Sequence, residues 1–448
     1  MLGALALLVG SAGCAAGTGP TRTAPAADRG DHPEEIRIGV LAPTSGTDAK
    51  TGLDAVRGSQ LAAEFINSAN PAVALPLAAG TGLPHVGNAT VTIVPTDTAD
   101  QPDQAMAKIQ QLYGNRVTGV VSASGPEVSA SASQGAERLR LPFVEAYCAA
   151  DYLTERGLEW FFRTAPTYRT LSATTLAWLT SRLDGKAVGV LHSDDRTGYS
   201  VRTEVLRLAQ EAGAGAQVAA VLPTDGDGRA AARTVRTASP EVVFLGAQTP
   251  AQAQALLKGV DDAGLNPPAL VAMGPGFDTE DGPRTNGMYI TAAWVPQLAG
   301  LNTSVQAVTD RYQRRYGTPM SETAAATFTA VLALAQAVDR AAERAEQLSP
   351  EAIRMAMLGL DMPDQEMIGP ANGVLFDLAH QNSRAIGVIA RYNGDRFQLV
   401  YPKDPSLATE NGSSAGRAAP PRADRANRTP QRNRPATTPP TSAGRGSR

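Results

Sequence analysis

Residues 36–67, IRIGVLAPTSGTDAKTGLDAVRGSQLAAEFIN, run a strand, a polar turn and a helix together without a break, and that succession narrows the folds open to the chain. Ile36, Ile38, Val40 and Leu41 form a short β-branched and aliphatic run, which Pro43, Ser45 and Gly46 end with turn chemistry. The helix that follows repeats apolar residues at its own period, Leu61 with Phe65 and Ala62 with Ile66, while Asp54, Arg57 and Gln60 suit the solvent side. In an open α/β sheet such a strand-to-helix loop lies at the carboxyl edge, where small ligands bind.

The alternation continues down the chain. Strands are predicted near Val91 to Val94, Val117 to Val121 and Pro142 to Val144, with helices around Asp103 to Tyr113 and Ser129 to Leu139. In the first of these helices Met106, Ile109 and Tyr113 share a face, and residues 68–89 read as a surface loop rich in Ala, Pro and Gly. A second series follows, with strands near Val188 to Leu191, Gln217 to Leu222, Val242 to Leu245 and Leu270 to Met273 between helices. Beyond Trp294 the pattern turns helical from Ser304 to Gly359, and a hairpin-like segment, Gly373 to Asp377, Ile386 to Tyr392 and Phe397 to Tyr401 with Asn393-Gly394-Asp395 at its turn, closes it. Alternating elements predict parallel sheets covered by helices. About 370 ordered residues exceed what one core usually supports, so two lobes are expected.

The net charge of −3 hides a division. Residues 411–448 hold eight arginines against Asp424, a net +7 that leaves −10 on residues 1–410. An acidic body argues against nucleic acid as a partner. The tail, 404–448, has the Pro, Ala, Ser and Thr content of a disordered basic extension. At the other end a short apolar run, Leu5 to Val9, precedes Ser11-Ala12-Gly13-Cys14. It is too short to span a bilayer and reads as a signal segment, residues 1–13. The box resembles a bacterial lipoprotein cleavage site with Cys14 as the lipid-modified residue, although Ser11 stands where Leu is usual and no Lys or Arg precedes the run. Residues 14–35 would then be the tether, which leaves Cys148 as the remaining thiol.

Several pieces in fixed order resemble the type I periplasmic binding proteins, in particular the branched-chain amino-acid-binding receptors of ABC transporters. They are IRIGVLAPTSG with the helix ending AAEFIN, Asp97 in DTAD, LPFVEAYCAADYLT followed by FFRTAP, VGVLHSDDRTGYS, and the closing GPANGVLFDLAHQNSRAIGVIARYNGDRFQLVYP. The likeness covers roughly residues 35–403. It implies two doubly wound α/β lobes joined by three hinge crossings, near Pro166, Val295 and Gly369 to Val374, with a ligand enclosed by lobe closure. The first lobe would comprise 36–166 with 296–371, and the second 167–295 with 372–403. It also implies a monomeric receptor on the outer face of the cytoplasmic membrane, with a small polar ligand and an ABC permease as partners and no cofactor.

In that family a hydroxyl and backbone N–H groups on two loops of the first lobe hold the ligand's carboxylate, because helix-start N–H groups satisfy an anion. The matching loops here carry Ser124, Gly125 and Glu127, and Tyr147, Cys148 and Ala149. Ser before a helix is also an ordinary cap, and a lone cysteine is usually a packed, inert residue. Thr51 before Gly52 and Thr197 before Gly198 replace the aromatics that often wall the cleft. Gly276 stands where amino-acid binders place the acid that neutralises an ammonium, so Asp278 or Glu127 would have to supply it from another angle. Gln248 and Trp294 offer an amide and a ring face to an amide, urea-type compound or aromatic acid, with hinge packing the plainer role for the tryptophan.

Catalytic and metal signals are weak. His32, His85, His192 and His380 are scattered without metal-ligand spacing. The G-x-S-x-G string at 412–416 lies in the tail without the strand and helix that a nucleophile elbow needs, and Gly213-Ala214-Gly215 follows a helix where a dinucleotide site needs a strand. A solute receptor, a lipid-anchored sensor of the same fold and an enzyme on a borrowed fold remain as classes, of which the receptor is expected.

Overall fold

The computed structural model describes residues 33–402 except 184, 224–225, 278–281, 346 and 369–372. Cys14, the signal segment, Asp278, the string at 412–416 and the 404–448 tail lie outside the described residues.

The first sheet holds β1 (Glu35–Ala42), β2 (Thr90–Asp97), β3 (Gly119–Ser122), β4 (Phe143–Glu145) and β5 (Phe161–Arg163), all parallel, in the order β2-β1-β3-β4-β5. Its register aligns the strand ends, with Ala42 opposite Asp97, Leu41 opposite Ser122, Ser122 opposite Glu145 and Glu145 opposite Arg163. Every loop after these strands therefore leaves from one edge. The strand order reverses between β1 and β3, which is where such sheets open a crevice.

The second sheet contains β6 (Val188–His192), β7 (Gln217–Val221), β8 (Val242–Gly246) and β9 (Ala269–Met273), parallel in the order β9-β8-β6-β7. It is extended by β10 (Tyr289–Ala292), then by β13 (Val388–Tyr392) and β14 (Phe397–Tyr401), which run antiparallel. The expected hairpin thus joins the edge of the parallel sheet. Gly373 to Asp377 is not part of that hairpin. Its β12 (Val374–Leu375) pairs instead with β11 (Asp361–Met362).

Helices cover both sheets: α1 (Ala49–Asn67), α2 (Pro102–Gly114), α3 (Pro126–Leu139), α4 (Tyr168–Leu183), α5 (Arg196–Glu211), α6 (Gly228–Arg236), α7 (Pro250–Asp262), α8 (Thr303–Tyr316), α9 (Glu322–Arg344) and α10 (Pro350–Leu358). The alanine-rich α9 is buried on most of its surface and packs on α1, α10, β3 and β4, with Phe328 edge-on to Phe65 at 5.9 Å. Such a helix, apolar nearly all round, belongs in the middle of a lobe.

Packing alters three of the sequence readings. Asp54 is buried, because Lys50 Nζ at 3.1 Å, Arg57 Nη1 at 3.2 Å and Tyr312 Oη at 3.3 Å all donate to it. In α2 the buried face is Ala105, Ile109 and Leu112, and Tyr113 is exposed. The 68–89 segment is pinned down, with Leu75, Ala78, Leu83 and Val86 buried and His85 Nδ1 2.7 Å from Asp339 Oδ2 on α9.

Candidate ligand-binding cleft

The two strand-order reversals face each other. Loops after β1 and β3 on one side, and after β6, β8 and β9 on the other, enclose a cavity of ≈ 100 Å³. Thr51, Ser124, Gly125, Tyr147, Cys148, Ala149, Thr197 and Gln248 line it together. Asp48, Lys50 and Tyr168 join them, three residues that sequence reasoning passed over. Tyr168 carries a readable signal in hindsight, since it opens the helix directly after the first crossing.

Each loop is held by buried chemistry behind it. After β1, the Asp97 carboxylate accepts from Thr44 N at 2.8 Å, Ser45 N at 3.2 Å, Ser45 Oγ at 2.5 Å and Ala99 N at 2.9 Å. Burial raises its pKa, but these donors outweigh burial and hold it below the usual carboxylate value. The turn into α1 then passes so close that a Cβ at Gly52 would lie 1.9 Å from the Pro43 carbonyl oxygen. Only glycine fits there.

After β4, the fully buried Glu145 carboxylate accepts from Ser129 Oγ at 2.6 Å and from Tyr147 N and Cys148 N at 3.0 Å each. Burial pushes its pKa up. Its strand neighbour Arg163, equally buried, donates to Ala150 O at 2.5 Å, Cys148 O at 3.3 Å, Thr154 Oγ1 at 2.9 Å and Gln381 Oε1 at 2.6 Å. Gln381 Nε2 in turn donates to Ala165 O at 2.8 Å. One cation thus ties the cleft loop to two of the chain's passages between the sheets. Sequence reasoning missed both Glu145 and Arg163, whose charges inside β-rich runs were the available signal.

Ser124 does not cap α3. Gly125 is the cap residue, Pro126 starts the helix, and Ser124 Oγ lies 3.4 Å from Leu41 O. The helix start therefore opens toward the cavity without a side-chain cap. Opposite it, Thr197 Oγ1 donates to Gln248 Oε1, which leaves the amide nitrogen on the side of Gly125, 3.6 Å from where its Cβ would sit. Tyr168 is buried and its hydroxyl pKa is driven well up by that burial. Burial, with Glu145 nearby, also pushes the Cys148 thiol up, so it stays protonated and packs as a small apolar group.

Two proposed contacts fall elsewhere. Trp294 is sealed between the lobes, with Nε1 donating to Met320 O at 2.9 Å, and lines a separate small cavity beside Pro166 and Asn382. Glu127 sits on the outer rim, 3.4 Å from Arg196 at the start of α5. At Gly276 the backbone leaves no space for an acid: a Cβ would lie 2.5 Å from Thr249 O. Among the described residues no group of three or more His, Cys, Asp and Glu side chains is placed to hold a metal, and no helix is long and apolar enough to cross a membrane.

Comparison with known proteins agrees with this geometry. A family model described as periplasmic binding protein matches residues 35–392. Leu/Ile/Val-binding protein homolog 8 of Brucella abortus is 26% identical over 400 residues, covering 84% of this chain and 92% of the relative. An ABC transporter substrate-binding protein from Desulfitobacterium hafniense, solved in complex with Leu, superposes with a TM-score of 0.65 at 18% identity, covering 82% of this chain and 100% of that one. A solute binding protein from R. palustris, solved in complex with benzoate, gives 0.64 at 18% identity, covering 82% and 95%. The shared architecture thus holds chemically different ligands.

Proposed function

The chain belongs to the periplasmic binding protein family, as a two-lobed type I member, and from that premise we propose that it captures one small polar ligand, unchanged, by closing its lobes and delivers it to an ABC permease. The observation that carries this reading is the pair of strand-order reversals facing one cavity. Residues 36–166 with 296–371 form the first lobe, and 167–295 with 372–403 the second. Ser124 Oγ and the N–H groups at Gly125 and Ala149 receive the ligand's carboxylate, Gln248 adds an amide N–H from the second lobe, and Thr51, Tyr147, Cys148 and Thr197 complete the wall. The protein acts as a monomer on the outer face of the cytoplasmic membrane, anchored through lipid on Cys14.

A thermal-shift screen of amino acids, amides, ureas, aromatic acids and small peptides tests the capture. A ligand at about 100 times its Kd adds roughly 2.7 kcal/mol to stability. No shift across the panel overturns the reading. Replacing Cys14 by Ser should release the protein from membranes, and unchanged retention would sink the anchor.

A further inference from the structure

Three backbone N–H groups at the head of α4 need partners from outside the helix ladder, and they find them in two different places. Thr167 Oγ1 accepts from Thr170 N at 3.0 Å, a cap that the segment supplies for itself. Tyr168 N instead donates to Ala149 O at 2.8 Å, and Arg169 N to the two Asp151 carboxylate oxygens at 3.2 and 3.3 Å. Ala149 and Asp151 lie on the loop after β4, whose Ala150 and Leu153 are buried in the core around α2 and α3. The helix α4 packs on α5, β10 and β13, against the second sheet. The start of a helix on one sheet is therefore completed by a loop of the other.

Arg169 doubles the link. In the first turn its charge is unfavourable against the helix dipole, which the Asp151 carboxylate offsets. Its guanidinium lies 3.2 Å from Glu204 on α5 and 3.8 Å from Glu155, which follows the β4 loop. Ala149 and Tyr168, joined by the 2.8 Å bond, both line the ligand cavity. The loop that walls the cavity is thus the same loop that carries α4.

Building on the capture reading, we propose that Asp151 is a positioning residue for lobe closure. Its carboxylate caps α4 across the boundary between the lobes, and so fixes the first helix of the second lobe to the loop that receives the ligand on the first. A shift of the Ala149 loop as the cavity fills is passed to α4, and through α4 to the sheet it covers.

Hydrogen exchange and small-angle X-ray scattering on the full chain, without ligand, test this for wild type, Asp151→Ala, Asp151→Asn and Ser349→Ala. The last is a matched control, because Ser349 Oγ caps α10 by accepting from Ala352 N at 3.1 Å, away from the boundary. In wild type the Tyr168 and Arg169 amides should exchange as slowly as the interior of α4, and unprotected exchange there overturns the proposal. Asp151→Ala should speed exchange at Arg169 about five-fold, as the loss of one cap predicts, and should widen the spread of lobe separations. Asparagine accepts the same bond, so Asp151→Asn should restore both. Ser349→Ala should lower the melting temperature comparably and leave the lobe separation as in wild type. The proposal also falls if Asp151→Ala lowers the melting temperature yet keeps the wild-type lobe separation, or if Asp151→Asn behaves as Asp151→Ala does. Since no ligand enters, these outcomes are independent of the thermal-shift screen that decides the capture reading.

Discussion

Arg196, on α5, lies 3.4 Å from the Glu127 carboxylate on α3, so a cation of one lobe meets an anion of the other across the mouth of the cleft. A cation in the first turn of a helix opposes the helix dipole, which makes Arg196 locally unfavourable and explicable only by what it reaches. It also stacks over Tyr152, 4.9 Å from the ring centroid, and Tyr152 Oη donates to Pro126 O at 2.9 Å. Under the proposed lobe closure, the pair would act as a clasp at the rim of the cleft.

Arg196→Ala should therefore weaken every ligand by a similar factor. Because both partners are largely exposed, at 58% and 45%, the effect should stay within about 1 kcal/mol, or roughly five-fold in Kd. In 1 M salt the difference from wild type should nearly vanish. Calorimetry at two salt concentrations reads this directly, and a loss confined to one ligand would mean that Arg196 touches the ligand instead.

Removing the buried cation should be far more damaging. Arg163→Met strands the carbonyls of Cys148 and Ala150 and removes the cation beside Glu145 in the sheet, and about 3–5 kcal/mol of stability should be lost. Adding Glu145→Gln should recover part of that loss, since the two charges occupy adjacent strand positions. Urea denaturation of the single and double variants measures both; strictly additive losses would show the charges to be uncoupled.

His85 supplies a pH dependence. The Asp339 hydrogen bond, helped by the Asp339 and Glu343 charges and opposed by burial, raises its pKa above 6.5. The protonated form is favoured by folding, so its contribution is complete below the unfolded value and fades as pH rises through the raised one. Wild type should lose melting temperature from about pH 6 upward relative to His85→Gln, whose profile should be flatter there. Parallel profiles would exclude the linkage.

Asp100 shifts stability with pH in the same direction as His85, but in a lower range and through an unfavourable charge. Desolvation, reinforced by Asp48 and Asp97, lifts its pKa to about 6. Folding therefore favours its protonated form, and stability falls as pH rises from about 4 to 6. Asp100→Asn should raise stability at pH 7 by about 1 kcal/mol, discounted for partial solvent screening, and should do nothing below pH 4. Asparagine also suits its positive φ of 54°. An unchanged melt at pH 7 would count against the repulsion.

The parallel core was legible because its strands are short β-branched runs with turn residues at their ends, as Ile36 to Leu41 shows. β10 was not, since Tyr289–Ala292 follows an irregular Gly- and Asn-containing stretch and has no alternation of its own. In the cleft, loop positions such as Ser124 and Gln248 followed from strand ends, which one sequence displays. Glu145 and Arg163 did not, because a charge within an apolar strand declares itself only when its partners from distant segments are in place. Asp48 was hidden for a related reason: it lines the cavity only because the turn into α1 brings it there, and only packing reveals that.

Trp294 was expected against the ligand and instead lies enclosed at a passage between the lobes. Its indole emission should consequently report rearrangement of the joint and ignore the chemical identity of what is bound. Trp160 lies under Arg354 and Trp178 against Tyr289, both outside the cavity lining. If the lobes close as proposed, the protein would carry a built-in optical gauge of that motion, one that would respond alike to a coloured, colourless or wholly unfamiliar solute.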